Sequence, residues 1–226
     1  MPEMWRVALI DSGLSEGAAR FVADSRRFLD TGNDVQEASA EADPIGHGTR
    51  VARIIDARSS CEFLVAQVID ASRRTTPAAV AAAIGWAVAA RAHLIHLSLG
   101  LQEDRPVLAD AVAHALTAGS ILVASSPARG NRTFPAAYPG VIRATGDARC
   151  AVGEISVLQT AQADFGAAPT LPGEAAAGAS IGAAHLSAFI CQHLGPGLDS
   201  QSVRIRLSEL ARYHGPEHRS TDSVPR

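Results

Sequence analysis

The sequence predicts a doubly wound α/β domain, with a mostly parallel sheet and helices on both of its faces. Short apolar runs alternate along the chain with longer alanine-rich segments of helical period. The run at residues 62–69 has apolar residues at both odd and even positions, so both faces of the predicted strand are apolar. This is expected of a strand in a parallel sheet that is buried on both sides. With 226 residues, 47% of them hydrophobic, the chain can bury one sizeable core.

The first half of the chain predicts strands and helices in alternation. Residues 5–10 predict the first strand, residues 49–57 a helix, and residues 62–69 a second strand. Thr76 suits a helix N-cap and Pro77 the first helical position, so a helix is expected to begin there and to run through residue 90.

The second half continues the alternation. Its predicted strands are 93–97, 121–124 and 141–144, and its predicted helices are 106–118, 179–193 and 202–213. Residues 1–213 are therefore expected to form a single domain, followed by a polar and disordered tail at 214–226.

The stretch 24–43 has no periodicity and carries six carboxylates. We expect it to be a solvated loop; the functional alternative is an acidic rim that meets a basic substrate.

Composition and charge exclude several classes of function. The net charge is −3 and all 20 basic residues are arginine, so neither a broad nucleic-acid-binding surface nor lysine chemistry is expected. Cys61, Cys150 and Cys191 lie far apart, which predicts reduced and buried thiols and no zinc site. Without a secretory signal or a long apolar run, we expect a cytoplasmic protein with no membrane partner.

Three polar residues stand where a buried α/β core would not normally tolerate them. Asp11 follows the first strand, and His47 lies between Gly46 and Gly48 at the start of a predicted helix. Ser180 begins another helix among small residues, where unpaired N–H groups favour an anion. Taken singly, each residue has an ordinary structural explanation: a loop or cap for Asp11, a satisfied polar residue for His47, and an N-cap for Ser180.

Taken together and in this order, the three segments resemble a known family. VALIDSGL, GHGTRVA and GASIGAAHLSA are similar to the three signature blocks of subtilisin-like serine peptidases, in the order Asp, His, Ser. IHLSLG resembles the substrate-binding strand of that family, and FPAAYPGVIRATG the segment after its oxyanion loop. The resemblance covers residues 7–213 and implies the doubly wound fold of the family.

The resemblance implies acyl transfer to water without a cofactor or metal. Ser180 would attack the scissile carbonyl, His47 would move the proton, and Asp11 would hold the imidazole. The backbone N–H of Ser180 would donate to the oxyanion. An extended polypeptide substrate would add as a strand to Leu97, Ser98, Leu99, Gly100 and Leu101.

The sequence departs from the family at several positions. Aligned directly from the preceding strand, Ala128 takes the place of the oxyanion Asn; with a three-residue insertion, Asn131 takes it, and we favour Asn131. The other departures replace Thr, Met, Pro, His, Gly, Asn and Gly by Ala179, Ile181, Ala184, Arg50, Arg53, His96 and Leu101 respectively.

These features predict a site-specific serine endopeptidase. We expect it to mature without a prosegment and, like leader peptidases of peptide-maturation pathways, to process a leader-bearing polypeptide in the cytosol. The alternative is a weak or inactive domain that serves as a peptide-binding scaffold. A nucleotide-binding domain is disfavoured because no glycine-rich phosphate loop follows the first strand.

Overall fold

A ten-stranded sheet runs through the part of the chain that the computed structural model describes, residues 4–171 and 177–217. In chain order its strands are β1 Trp5–Asp11, β2 Val22–Asp30, β3 Val35–Ser39, β4 Cys61–Gln67, β5 Leu94–Leu97, β6 Ile121–Ser125, β7 Ile142–Gly146, β8 Ile155–Val157, β9 Phe165–Ala167 and β10 Tyr213–His214. The spatial order is β10-β8-β9-β7-β6-β5-β1-β4-β2-β3, so the strand that carries Asp11 lies in the middle.

The strands around the centre are all parallel. β1 pairs with β4 on one side and with β5 on the other, and β6 and β7 continue the parallel ladder. Only the pairs β2–β3 and β8–β9 are antiparallel among the described strands. This is the predicted mostly parallel sheet, and its central strands bring their carboxyl ends to one edge, where open α/β sheets assemble their sites.

Five helices cover the sheet in the described residues: α1 His47–Arg58, α2 Pro77–Ala89, α3 Pro106–Thr117, α4 Ala179–His193 and α5 Ser200–Leu210. The bounds of α4 agree with the prediction. The predicted start of α2 is confirmed as well, because Thr76 Oγ1 accepts a hydrogen bond from Ala79 N and Pro77 is the first helical residue.

Alternate residues of the strands feed two separate cores. Val7 and Leu9 of β1 pack with residues of α1, α4 and α5, whereas Ala8 and Ile10 pack with α2 and α3 on the other face. This alternation places α1 and α4 side by side on one face of the sheet, and the site described below uses both of their N-termini.

The prediction of a solvated loop at 24–43 is wrong. This stretch contains the hairpin β2–β3, at the edge of the sheet next to β4. Three of its six carboxylates are in ion pairs within this region: Arg26 contacts both Asp24 and Glu37, and Arg27 contacts Glu41. The sequence showed no regular period here because β3 is mostly exposed and β2 is mostly half-buried, with Phe28 as its one buried residue.

The C-terminal region also differs from the prediction. The last helix ends at Leu210, and Tyr213 and His214 then pair with β8 as a short parallel strand. The prediction of a disordered tail from residue 214 is therefore wrong for His214 and Gly215. His214 is part of this strand, and Gly215 N donates a hydrogen bond to Val157 O. The remainder of that tail, residues 218–226, lies outside the described residues.

All three cysteines are buried and free, as predicted. Burial raises the pKa of Cys61 and of Cys150 to about 11, so neither thiol is a ready nucleophile. Within residues 4–171 and 177–217, no helix has the length and apolar character needed to cross a membrane.

Candidate active site

Asp11 and His47 meet at the carboxyl edge of the sheet, although 36 residues separate them in the chain. Asp11 is the last residue of β1 and is 1% exposed, and His47 is the first residue of α1. His47 Nδ1 lies 2.7 Å from Asp11 Oδ1 and 3.0 Å from Asp11 Oδ2. A hydrogen on Nδ1 donates to the carboxylate, which leaves Nε2 as the basic nitrogen.

The Asp11 hydrogen bond raises the pKa of His47, against an opposing effect of burial. Two nearby charged side chains have opposite effects: the Arg50 guanidinium lowers the pKa of His47, and the Asp43 carboxylate raises it. An imidazole that binds a proton more readily than usual, held by a buried carboxylate, is suited to general-base chemistry near neutral pH.

Glycine at position 48 permits the close approach of the two elements. A Cβ atom there would lie 2.3 Å from Gly13 O and 3.2 Å from the Asp11 Cβ. Any larger residue would push α1 away from the end of β1 and lengthen the Asp11–His47 contact.

The loop before α1 holds a further residue that sequence analysis assigned to the solvated stretch. Asp43 Oδ1 accepts from Gly46 N at 2.9 Å and from Ser12 Oγ at 2.8 Å, and its Oδ2 accepts from Thr49 N at 2.8 Å. Burial alone would raise the pKa of the Asp43 carboxyl, but the hydrogen bonds from Thr49 and Ser12 keep it below its ordinary value.

Ser12 completes the connection between β1 and α1. Its hydroxyl, which donates to Asp43, accepts from Gly48 N at 3.0 Å, and its backbone N–H donates to Asp11 Oδ1 at 2.7 Å. An Asp shortly before a helix is a recognised capping signal, so the role of Asp43 could have been found in the sequence; that of Ser12 depends on tertiary contact.

Ser180 is the second residue of α4 and is partly exposed. The helix packs beside α1 and very closely on β7, since a Cβ at Gly182 would lie 2.2 Å from Thr145 O. The N–H of Ser180 belongs to the first turn, whose N–H groups have no acceptor inside the helix. Among the described residues no hydrogen bond joins Ser180 Oγ to His47, so the nucleophile and its oxyanion N–H remain predictions.

The predicted substrate segment divides into a core part and an open part. The prediction that Leu97 binds the substrate is wrong. Leu97 is fully buried and pairs with Ile10 on one side and with Ala124 on the other. No substrate strand can therefore add to it. Ser98 and Leu99 are buried as well.

Gly100 and Leu101 form the open part. Leu101 N and O both bond to Phe134, at 2.8 Å each, on one side of the segment. Since successive residues of an extended segment face opposite ways, the backbone of Gly100 faces the other side, where an added strand would pair. Gly100 also allows Thr133 to approach, because a Cβ there would lie 3.1 Å from the Thr133 Cβ.

Asn131, predicted as the oxyanion donor, lies in the exposed loop between β6 and Phe134. Its side chain makes no hydrogen bond to any described residue, and the competing position, Ala128, is exposed too. The assignment of Asn131 therefore stays a prediction.

His96 is the most deeply buried histidine of the described residues, with 0% exposure. Its Nε2 lies 2.6 Å from Ser98 Oγ and its Nδ1 lies 2.9 Å from Ser187 Oγ, so it joins the end of β5 to α4. Burial lowers the pKa of His96 to about 3, and this ring stays neutral near pH 7. Sequence analysis noted His96 only as a departure from the family and did not foresee this role.

Known proteins resemble this chain in sequence and in fold. The subtilase family model matches residues 5–180. The minor extracellular protease Epr of Bacillus subtilis is 30% identical over 150 residues, which make up 61% of this chain and 22% of that protein. The thermostable alkaline protease of Halalkalibacterium halodurans is 29% identical over 149 residues, covering 61% of this chain and 40% of that protein.

A solved structure, sphericase, matches the fold with a TM-score of 0.66 at 18% identity, covering 90% of this chain and 82% of sphericase. The sequence relatives are longer proteins, and the matched part of this chain spans 40% of their length or less. Because the family match extends over most of the chain and includes the segments of Asp11, His47 and Ser180, the chain belongs to the subtilase family.

Proposed function

We propose that this protein is a serine endopeptidase in which Asp11, His47 and Ser180 act together. The observation that carries the proposal is the 2.7 Å contact between His47 Nδ1 and the buried Asp11 carboxylate. Membership of the subtilase family supports the same assignment.

In the proposed reaction Ser180 Oγ attacks the carbonyl carbon of the scissile bond while His47 Nε2 takes the hydroxyl proton. Asp11 stabilises the imidazolium that forms, and the N–H at Ser180 donates to the developing oxyanion. His47 then returns the proton to the leaving amine, and water hydrolyses the acyl-enzyme by the same route.

The substrate is proposed to be an extended polypeptide that pairs with the backbone of Gly100. The half-buried Leu101 follows this glycine, at the position where the sequence resemblance expects a second glycine. A leucine side chain there narrows the space beside an added strand, which supports cleavage of a restricted set of sequences.

At a finer level we propose that the enzyme removes a leader peptide from a specific polypeptide in the cytosol. An acidic rim that recognises a basic leader receives little support, since Asp24, Glu37 and Glu41 already contact arginines of their own hairpin. Recognition of the leader is therefore proposed to depend on the Gly100 segment.

A serine-directed fluorophosphonate probe tests the catalytic proposal. We expect the wild-type protein to be labelled and Ser180→Ala to lose the label entirely, because only an activated hydroxyl attacks the probe. Ser208→Ala, on α5, is the matched control and should label like wild type, since its hydroxyl bonds a helix carbonyl. Labelling that survives in Ser180→Ala would assign the reactive serine elsewhere.

The second candidate is a peptide-binding scaffold without catalysis. It is favoured by the absence of a Ser180–His47 hydrogen bond among the described residues and by Ala179 in the place of the usual threonine. A folded wild-type protein that takes no label but retains a polypeptide on co-purification would establish this second function in place of the first.

A further inference from the structure

A cavity of about 400 Å³ lies along α1, between this helix, α4 and the segment that leads to Leu171. Gly46 and Thr49, on either side of His47 in sequence, line one end of it. This volume falls within the range of small-molecule sites. Nothing in the proposed hydrolysis uses this cavity.

Arginine provides all the formal charge on the described part of the cavity lining. Arg50, Arg53 and Arg58 project from successive turns of α1, and no described lining residue is acidic. Within residues 4–171 and 177–217, the exposed Arg53 forms no ion pair, and Arg58 makes a single long hydrogen bond, of 3.3 Å, to Gln192 Oε1. Guanidinium groups match carboxylate oxygens in a forked, two-bond geometry, so they favour an anionic ligand.

His185 of α4 provides a second and independent indication of a ligand. The residue is 5% exposed and lines the cavity. Its Nε2 faces the Thr170 carbonyl oxygen at 3.3 Å, whereas its buried Nδ1 has no hydrogen-bond partner among the described residues. Buried polar atoms are nearly always satisfied, so an unpartnered Nδ1 at a cavity wall calls for a partner from the ligand.

A carboxylate supplies that partner. Because Nε2 faces a carbonyl oxygen, it carries a hydrogen, and Nδ1 can donate only when the ring holds a second proton. Burial lowers the pKa of His185, and the charge of Arg58 lowers it further. An anion beside the ring favours the second proton against both effects.

The rest of the lining is apolar. Ile54 and Ala57 of α1 face Val152 and Leu171 across the cavity, and Val152 is 38% exposed. A purely ionic ligand would leave this surface in contact with water, whereas a ligand with a short hydrocarbon chain would cover it.

We propose that this cavity is a second binding site, which takes a carboxylate carried on a short apolar chain. Arg53 and Arg58 hold the carboxylate, His185 Nδ1 donates to it, and the chain lies against Ile54, Val152 and Leu171. Such a group could belong to a free small acid or to an acidic side chain of the polypeptide substrate.

Calorimetric titration of hexanoate into the full-length Ser180→Ala protein tests the site without requiring hydrolysis. We expect saturable binding at one site, weakened about tenfold in Arg53→Gln and in Arg58→Gln, since each removes a charge-assisted hydrogen bond. Hexanamide, which has the same chain without the charge, should bind far more weakly. Arg206→Gln on the exposed face of α5 is the control and should bind hexanoate like the parent.

The site is overturned if hexanoate does not bind a folded protein, or if Arg53→Gln and Arg58→Gln bind it as well as Arg206→Gln does. Equal binding of hexanamide would also overturn it. Because Ser180→Ala is used throughout, a failure of the site and a failure of the proposed hydrolysis are separate results.

Cleavage of a peptide library then distinguishes the two sources of the carboxylate. If the cavity reads the substrate, hexanoate competes with cleavage, and Arg53→Gln loses a preference for an acidic residue at one fixed distance from the scissile bond. If the ligand is a free acid, hexanoate changes the rate and the sequence preference stays the same in Arg53→Gln.

Discussion

A single hydrogen bond determines how the His47 side chain can act. Asp11 occupies Nδ1 and holds the ring toward the edge of the sheet, and it raises the pKa of the imidazole. The raised pKa means that His47⁺ adds stability below the ordinary value of about 6.5, and that this contribution is lost as pH rises through the folded value. Catalysis needs the opposite form, because only the neutral ring can accept a proton from Ser180.

The pH profile of kcat/KM should therefore have an acid limb above pH 6.5, the ordinary value for histidine. Asp11→Asn should move this limb to lower pH and reduce kcat by about 10⁴-fold, as loss of the carboxylate does in Ser-His-Asp enzymes. Asp70→Asn, on an exposed turn, should leave both quantities unchanged. Profiles measured on a fluorogenic peptide decide the point, and an unmoved limb in Asp11→Asn would contradict the assigned role of the carboxylate.

At the scale of elements, the beginning of α1 determines where His47 lies. The N-cap residue, Gly46, has a left-handed φ of 71° and no capping side chain. Asp43 supplies the missing acceptor from three residues earlier, and it connects the same turn to Ser12 beside Asp11. We therefore expect this helix-capping carboxylate also to position the proposed catalytic pair.

Asp43→Ala and Thr76→Ala form a matched pair for this idea, because each removes the side-chain cap of one helix. Both should lower the free energy of unfolding by about 0.5–2 kcal/mol. Only Asp43→Ala should also reduce kcat/KM, since α2 carries no proposed catalytic group. Chemical denaturation and steady-state kinetics measure the two effects, and equal activity in the two variants would limit Asp43 to a structural role.

At the scale of the whole molecule, His96 links the sheet to the helix that carries Ser180. Its ring nitrogens contact Ser98, just after β5, and Ser187 on α4, on the face of the sheet that α4 covers. Because burial lowers its pKa to about 3, the folded protein holds this histidine neutral at pH values where an unfolded chain would protonate it.

The stability of the fold should therefore fall as pH decreases from about 6.5 toward 3, since the unfolded state binds the extra proton. His96 alone can contribute a slope of up to about 1.4 kcal/mol per pH unit. His96→Asn should flatten the dependence, whereas His114→Asn on the exposed side of α3 should preserve it. Denaturant titrations across this pH range provide the test, and equal slopes in His96→Asn and wild type would refute the linkage.

The sequence alone was sufficient for most of the regular elements. Apolar runs and helical periods located the central strands and all five helices within a few residues, because these signals lie within each segment. They failed for the hairpin β2–β3 and for β10, which have little buried apolar surface and are held as strands by pairing with β4 and β8. They also failed for β8 and β9, which are buried but have only three residues each, too few to show a period.

The candidate site was predictable in its residue types and only partly in its contacts. The order of Asp11, His47 and Ser180 and their small neighbours identified the family. From the sequence, Leu97 and Gly100 were both predicted to bind the substrate backbone. In the structure Leu97 belongs to the core, because its backbone pairs with β1 on one side and with β6 on the other.

The sequence by itself thus determined the alternation of strands and helices, the family and the three residues of the proposed triad, since all are encoded in local order and spacing. Only the tertiary structure decided that Ser12 connects the end of β1 to the turn of His47, that His96 joins β5 to α4, and that Arg53, Arg58 and His185 share one cavity. These contacts join residues far apart in the chain, and they depend on strand register and on the close packing of α1 and α4, which no local pattern records.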